Sequence, residues 1–148
     1  MFTTKEPHVD LAHYAAAMVL PPSTFSQIPQ TEWIASNDVG FAIFDRFPVT
    51  EGHTLIISHR VIPTWWDATS SEQVGLMELV TQVKLILDGR FAPDGYNLGF
   101  NAGAAAGQTI DHLHIHLIPR RTGDVADPRG GVRYVIPERG NYLIEPTE

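Results

Sequence analysis

Between Asp111 and Arg121 the sequence DHLHIHLIPRR places His112, His114 and His116 at alternate positions, with Leu113, Ile115 and Leu117 between them. Only an extended strand sends residues i, i+2 and i+4 to one side and the intervening residues to the other. The segment therefore predicts a strand with one covered apolar side and one side carrying three imidazoles.

The remaining pattern says what kind of sheet holds that strand. Trp33 to Phe47 reads as two short strands separated by the turn signal SNDVG, and in the second Val39, Phe41, Ile43 and Asp45 share a face. PVTEG is a turn, and HTLIIS after it is a third strand in which His53, Leu55 and Ile57 point the same way. This hairpin brings Asp45 and His53 near its two arms. Thr69 to Leu87 is a helix, with Thr69 and Glu72 as a capping box, Val74, Met77, Val80, Val83 and Leu87 as its apolar repeat, and Gly89 placed to end it. YNLGFN is a fourth strand, and the histidine segment is the fifth. LAHYAAAMVL reads as a short helix, and VRYVI as one more strand in an irregular C-terminal stretch. Strands outnumber helices and short turns join neighbours, so the expected class is α+β, an antiparallel five-stranded sheet with a long helix packed on it.

No repeat or polar tract divides the chain, so residues 1–148 are expected to form a single domain. A formal charge of −7, with only ten Lys and Arg, argues against a nucleic-acid partner. The apolar stretch at the start is short and interrupted by His13, which fits neither a secretory leader nor a membrane span. The absence of cysteine removes thiolate metal sites and disulfides and points to a cytoplasmic protein. His8, His13 and His59 are read as surface or packing residues.

Alternate residues on a strand are about 6.6 to 6.8 Å apart, which puts His112 and His116 about 13 Å from each other. All three cannot close around one ion whose Zn–N bonds are about 2.0 to 2.1 Å. Catalysis suits the row better: a neutral imidazole attacks through one nitrogen while an acceptor holds the other. By itself the triplet leaves catalysis and metal binding or chance about equally open. The loop NAGAAAGQT before it has little bulk, and its N–H groups could form an anion-binding concavity. Gln108 and Thr109 add an amide and a hydroxyl there, and Arg120 and Arg121 add charge after the row. Such a site suits transfer of a phosphoryl or nucleotidyl group.

With His112-Leu113-His114-Ile115-His116-Leu117-Ile118 complete, the sequence resembles the histidine triad family, and somewhat more its small bacterial dinucleoside polyphosphate hydrolase-like members. The resemblance extends to Asn101 eleven positions upstream, to Gly107-Gln108-Thr109 and to FAIFDRFPVTEGHTLIIS, and covers about residues 30–121. The tail, 122–148, has no assigned role. The resemblance implies that His114 attacks the α-phosphorus of a nucleotide to form a transient nucleotidyl-histidine that water hydrolyses. His112 and His53 would orient it, and His116 would contact the phosphate or the leaving group. It also implies that Asp45 accepts from the ribose hydroxyls with Phe41 and Ile43 near the base, and that Asn101, Gln108 and Thr109 contact phosphate or leaving group. No metal or other cofactor is expected for the chemistry, and no membrane partner; a homodimer with a ten-stranded sheet is. Phosphoramidases and nucleotidyltransferases share this core, and a nucleotide-binding protein without turnover would carry the same residues.

Overall fold

The computed structural model describes residues 20–143. His8, His13 and all of the predicted N-terminal helix except Leu20 lie outside them.

Five strands, β1 (Ala35–Ser36), β2 (Gly40–Phe44), β3 (Thr54–Ser58), β4 (Gly95–Gly99) and β5 (His114–Arg120), form one sheet. Its order is β1-β2-β3-β5-β4, and every neighbouring pair is antiparallel. The predicted architecture is the one observed. The β2–β3 register ends on Phe44 opposite Thr54, so Asp45 and His53 face each other just beyond the last pair. There the Asp45 N–H donates to the His53 carbonyl at 2.9 Å, and Gly52 supplies the left-handed φ of 85° that the turn needs.

The long helix, α1 (Ser70–Phe91), starts as expected: the Glu72 N–H donates to Thr69 Oγ1 at 3.2 Å and the Thr69 N–H donates to Glu72 Oε2 at 2.7 Å. Its buried face differs. Leu76, Leu79, Val80, Val83 and Leu87 are buried, following the i, i+3, i+4, i+7 rule from Leu76, whereas Val74 and Met77 are exposed. Nor does Gly89 end it. The helix runs on far enough for Phe91 to pack on the core and to meet the Phe44 ring edge-on at 6.0 Å. It stops at Ala92, in the left-handed conformation at φ 44°, immediately before Pro93, whose ring cannot continue a helix.

The apolar alternates Leu113, Ile115 and Leu117 join Ala42, Ile56 and the α1 residues in the main core, on the helix side of the sheet. On the other side Phe25, Phe41, Ile43, Leu55 and Ile57 form a second cluster beneath Ile28, Trp33 and Ile110. The histidines therefore line a face that is itself apolar around them.

Two strand expectations fail. VRYVI is a 3-10 helix (Gly131–Val135), because Gly130 and Gly131 take positive φ and Pro137 interrupts the donors a strand would need. The histidine strand begins at His114, since the His112 N–H turns back to the Ile110 carbonyl at 2.8 Å and the Leu113 N–H goes to the Ile62 carbonyl at 2.7 Å. His112 thus sits in a bend, and the row is not the straight ladder its spacing suggests. No helix among the described residues is long and apolar enough to cross a membrane.

Candidate active site

Each histidine is held by partners that dictate where its proton sits. His114 Nδ1 lies 2.7 Å from the His112 carbonyl, which can only accept, so Nδ1 carries the hydrogen and Nε2 of the neutral ring keeps a bare lone pair. His112 Nε2 likewise donates to the Ser58 carbonyl at 2.7 Å, leaving Nδ1 to accept from the Ser23 hydroxyl at 2.6 Å. His53 Nδ1 accepts from the Val49 N–H at 3.3 Å, so its hydrogen is on Nε2. That atom is 3.0 Å from His116 Nδ1 and 3.5 Å from Asp45 Oδ2. With Nδ1 accepting, His116 presents Nε2–H as a free-standing donor.

Burial favours the neutral form of these rings. It lowers the His112 pKa, with the Ser58 carbonyl opposing and His114 adding to the effect. It lowers that of His53 against the pull of Asp45. For His116 burial, reinforced by His114 and His53 and opposed by Asp45, brings the pKa down to about 4. Around neutrality His53, His112 and His116 are therefore hydrogen-bonding imidazoles rather than cations.

Two cavities meet at His116. One, of about 320 Å³, has His114 and His116 in its wall with Ile43, Asp45 and Thr109. The other, of about 530 Å³, is reached by His53, His116 and Asn101 and is flanked by Gly131, Val132 and Val135 of the 3-10 helix Gly131–Val135. Both volumes are in the range of small-ligand sites.

The fold thus gathers His53, His114, His116, Asp45, Ile43, Asn101 and Thr109 around two adjoining spaces. His112 is buried behind His114 as its support. Phe41, Gly107 and Gln108, the other residues of the resemblance's nucleotide-binding set, line neither cavity. Phe41 is buried under the second cluster, stacked on Trp33 at 4.4 Å between ring centres. Gln108 braces the small-residue loop: its Oε1 accepts from the Gly103 N–H, and its Nε2 donates to the Pro63 and Ile110 carbonyls. Gly107 supports the same turn at φ 85° with its N–H on the Ala104 carbonyl. The N–H groups of Gly103, Ala106, Gly107 and Gln108 are all used inside the loop, so they are not the anion cradle its composition suggests. Arg120 and Arg121 are likewise committed, to Asp124 and Asn97 and to Glu51 respectively.

Sequence reading missed Ser23 and Phe25. Ser23 caps a short 3-10 helix (Thr24–Gln27), and Phe25 lays its ring edge-on against His114 at 5.1 Å. The cap signal, Ser23 with Ser26 three residues on, is local and legible; its bond to a histidine 89 positions away is not.

Asp45, His53 and His116 bring one potential ligand atom each to within 4.8 Å of one another. A metal ion would need a bare His53 Nε2, which the Val49 N–H on Nδ1 opposes by fixing the other tautomer. These residues fit a hydrogen-bonded triad better than a metal centre.

The model of the HIT domain family matches residues 26–123. The chain is 36% identical over 80 residues to a bis(5'-nucleosyl)-tetraphosphatase (asymmetrical) of Schizosaccharomyces pombe, covering 54% of this chain and 44% of that one. It is 33% identical over 97 residues to a bis(5'-adenosyl)-triphosphatase of Dictyostelium discoideum, covering 66% and 65%. In both cases it spans less than two thirds of the relative's length. Among solved structures, a hypothetical histidine triad nucleotide-binding protein of Sulfolobus tokodaii superposes with a TM-score of 0.60 at 34% identity, over 65% of this chain and 64% of that one.

Proposed function

The chain belongs to the HIT domain family, and from that premise we propose a hydrolase that acts at the α-phosphate of a nucleotide through a covalent nucleotidyl-histidine on His114. Its substrates are dinucleoside polyphosphates or related adenylated nucleotides, the class named for the two curated relatives. The observation that carries the reading is the lock on His114: with Nδ1–H on the His112 carbonyl at 2.7 Å, Nε2 is the nucleophilic atom, in a wall shared with Asp45 and Thr109.

In this reading the nucleoside occupies the smaller cavity, its ribose hydroxyls donating to Asp45 and its base lying along Ile43. The Nε2 lone pair of His114 attacks the α-phosphorus, and the P–O bond to the leaving group breaks with its electron pair going to that oxygen. His116 Nε2–H steadies the charge that develops there. A neutral His116 suits a leaving phosphate, which departs as a stable anion. Water then attacks the adduct, the P–N pair returns to His114, one of the water's protons stays on the new phosphate oxygen and the other passes to solvent. Every group needed is an imidazole, a hydroxyl or a carboxylate, so no cofactor enters.

Two copies joined along β4, the strand at the end of the sheet order with Leu98 exposed on it, would make ten strands. That homodimer belongs to the proposal, as does a cytoplasmic location. The test is trapping in alkali, where a P–N bond survives: the protein mixed with diadenosine tetraphosphate, quenched in base within milliseconds and digested for mass spectrometry. An adenylyl group on the peptide carrying His114 is expected. Turnover with no adduct on any histidine would remove the mechanism.

A further inference from the structure

The pairing of β3 with β5 stops at Thr54 opposite Leu117, but β5 runs on. Its Arg120 carbonyl serves the β4 side by accepting from the Asp94 N–H at 2.9 Å, and the Pro119 carbonyl, one residue earlier, is met by a side chain from the β2–β3 loop. The Thr50 hydroxyl donates to it at 2.7 Å. Pro119 is fully buried, and a buried carbonyl is costly to leave without a donor. Thr50 also closes the turn, because its own carbonyl accepts from the His53 N–H at 3.1 Å. One residue thus ties the loop to the histidine and to β5. The loop's second tie is weaker: Arg121 reaches the Glu51 carbonyl at 3.2 Å and its carboxylate at 3.4 Å, where the Glu51 side chain is exposed and solvent screens the pair.

What the tie holds in place is the Val49 N–H, 3.3 Å from His53 Nδ1. That is long for a hydrogen bond, so a small retreat of the loop ends it. The Val49 side chain is 69% exposed and gives the amide little packing to hold it there. Each neutral ring carries one hydrogen, and the His53–His116 pair can place its two hydrogens in two matched ways. In the observed one His53 Nε2–H donates to His116 Nδ1 and His116 Nε2–H is the free donor. In the other both hydrogens sit on Nδ1: His116 Nδ1–H donates to a bare His53 Nε2, and His116 Nε2 is a lone pair. Only the first arrangement offers a hydrogen to a departing oxygen. Two groups hold the pair in it, the Val49 N–H and Asp45 Oδ2, which lies 3.5 Å from His53 Nε2. Asp45 is the group that the proposed ribose hydroxyls engage, whereas the Val49 amide has no part in holding the nucleotide.

We propose that Thr50 is a positioning residue for the reaction: by tying the loop to Pro119 it keeps the Val49 N–H on His53, and so keeps the His53–His116 pair in the tautomer that donates to the leaving oxygen. The proposal rests on the reading of His116 as that donor. Thr50 itself lines neither cavity, and its influence passes through one amide and two rings. Burial keeps both rings neutral, so loss of the tie moves hydrogens between nitrogens and adds no charge.

The test compares the wild-type protein with three variants: Thr50→Val, which keeps the shape and removes the hydroxyl; Thr50→Ser, which restores it; and Val49→Pro, which deletes the N–H itself at an exposed loop position. Tautomers are read first, with and without AMP, from long-range proton–nitrogen NMR spectra of the histidine rings. The wild type should carry Nε2–H on both His53 and His116. In Thr50→Val and Val49→Pro a share of both rings should move to Nδ1–H, and Thr50→Ser should keep the wild-type pattern. Turnover of diadenosine tetraphosphate is read next, per folded molecule. In Thr50→Val and Val49→Pro kcat should fall by about tenfold or more with KM within about threefold, and Thr50→Ser should recover most of it. In a His116→Gln background, whose amide has no tautomer to lose, Thr50→Val should cost no further kcat. An unchanged ring pattern in whichever of Thr50→Val and Val49→Pro folds would overturn the proposal, as would an undiminished loss of kcat when Thr50→Val is added to His116→Gln. If the wild type hydrolyses nothing yet the variants shift both rings, the proposed hydrolase fails and the hold of Thr50 on the histidine pair stands.

Discussion

His53 Nε2 lies 3.0 Å from His116 Nδ1 and 3.5 Å from Asp45 Oδ2, so one N–H faces two acceptors contributed by two other segments. The contact fixes the tautomer of His116 and leaves its second nitrogen as a donor toward the adjoining cavities. It joins the β2–β3 hairpin to β5, and the behaviour of the site follows from it and from the two locks on His112 and His114.

On the proposed mechanism, replacing His114 removes the nucleophile and little else. His114→Ala should reduce hydrolysis of diadenosine tetraphosphate by about 10³-fold or more while leaving AMP affinity within a few-fold, since the ribose and base contacts proposed above are assigned to other residues. Steady-state kinetics and calorimetry measure the two separately, and turnover near the wild-type rate would exclude the covalent route.

Ser23→Ala leaves His112 Nδ1 buried with no donor. The expected cost is about 1 to 3 kcal/mol in urea unfolding, the penalty for an orphaned buried acceptor. The same change should lower kcat more than it raises KM, because His112 supports His114 through its carbonyl rather than touching the substrate. Ser23→Thr, which keeps the hydroxyl, should recover most of both; a Ser23→Ala protein as stable and as active as the wild type would mean the bond has no such role.

Stability should fall as acid is added well before the carboxylates titrate. Above the ordinary histidine value of 6.5 His116 is neutral both folded and unfolded and contributes nothing. Below 6.5 the unfolded chain takes up a proton that the folded chain refuses until about 4, so unfolding binds protons and stability rises with pH through that window. His53 and His112, shifted the same way, add to the slope, each fully transferred proton being worth about 1.4 kcal/mol per pH unit. Thermal unfolding between pH 4 and 7 measures it, and His116→Gln should flatten the curve; a Tm independent of pH across that range would contradict the neutral, buried assignment.

Gly40 is where α1 comes down on the sheet. A Cβ there would lie 2.6 Å from the Ile57 carbonyl oxygen and 2.8 Å from Leu76 Cδ2, and the first of these is backbone that cannot move aside without disturbing the β2–β3 pairing. Gly40→Ala should therefore destabilise the protein by about 1 to 3 kcal/mol, as overpacked cores do, with the nucleotide site impaired only in proportion to unfolding. Chemical denaturation reads the first effect and activity per folded molecule the second.

The sequence by itself determined the periodic elements and the identity of the reactive groups. Alternation of two in β5 and of three and four in α1 declares which side of each element is apolar, because burial must follow the geometry of the backbone. That was enough for the five-stranded sheet, the helix upon it, the hairpin that juxtaposes Asp45 and His53, and the row of histidines. Tertiary structure alone decided which nitrogen of each ring donates and which accepts. The tautomer of each ring is set by partners at positions 23, 49, 58 and 112, and two of those contacts join segments more than 50 residues apart. Composition likewise suggested an anion cradle in NAGAAAGQT, but whether an N–H is free depends on where the chain folds back, and those of Gly103, Ala106, Gly107 and Gln108 are spent on Gln108 Oε1 and the loop's own carbonyls. The same holds for Val132 and Val135, whose VRYVI segment reads as a strand but takes a 3-10 helix beside β4 where Gly130 and Gly131 adopt positive φ.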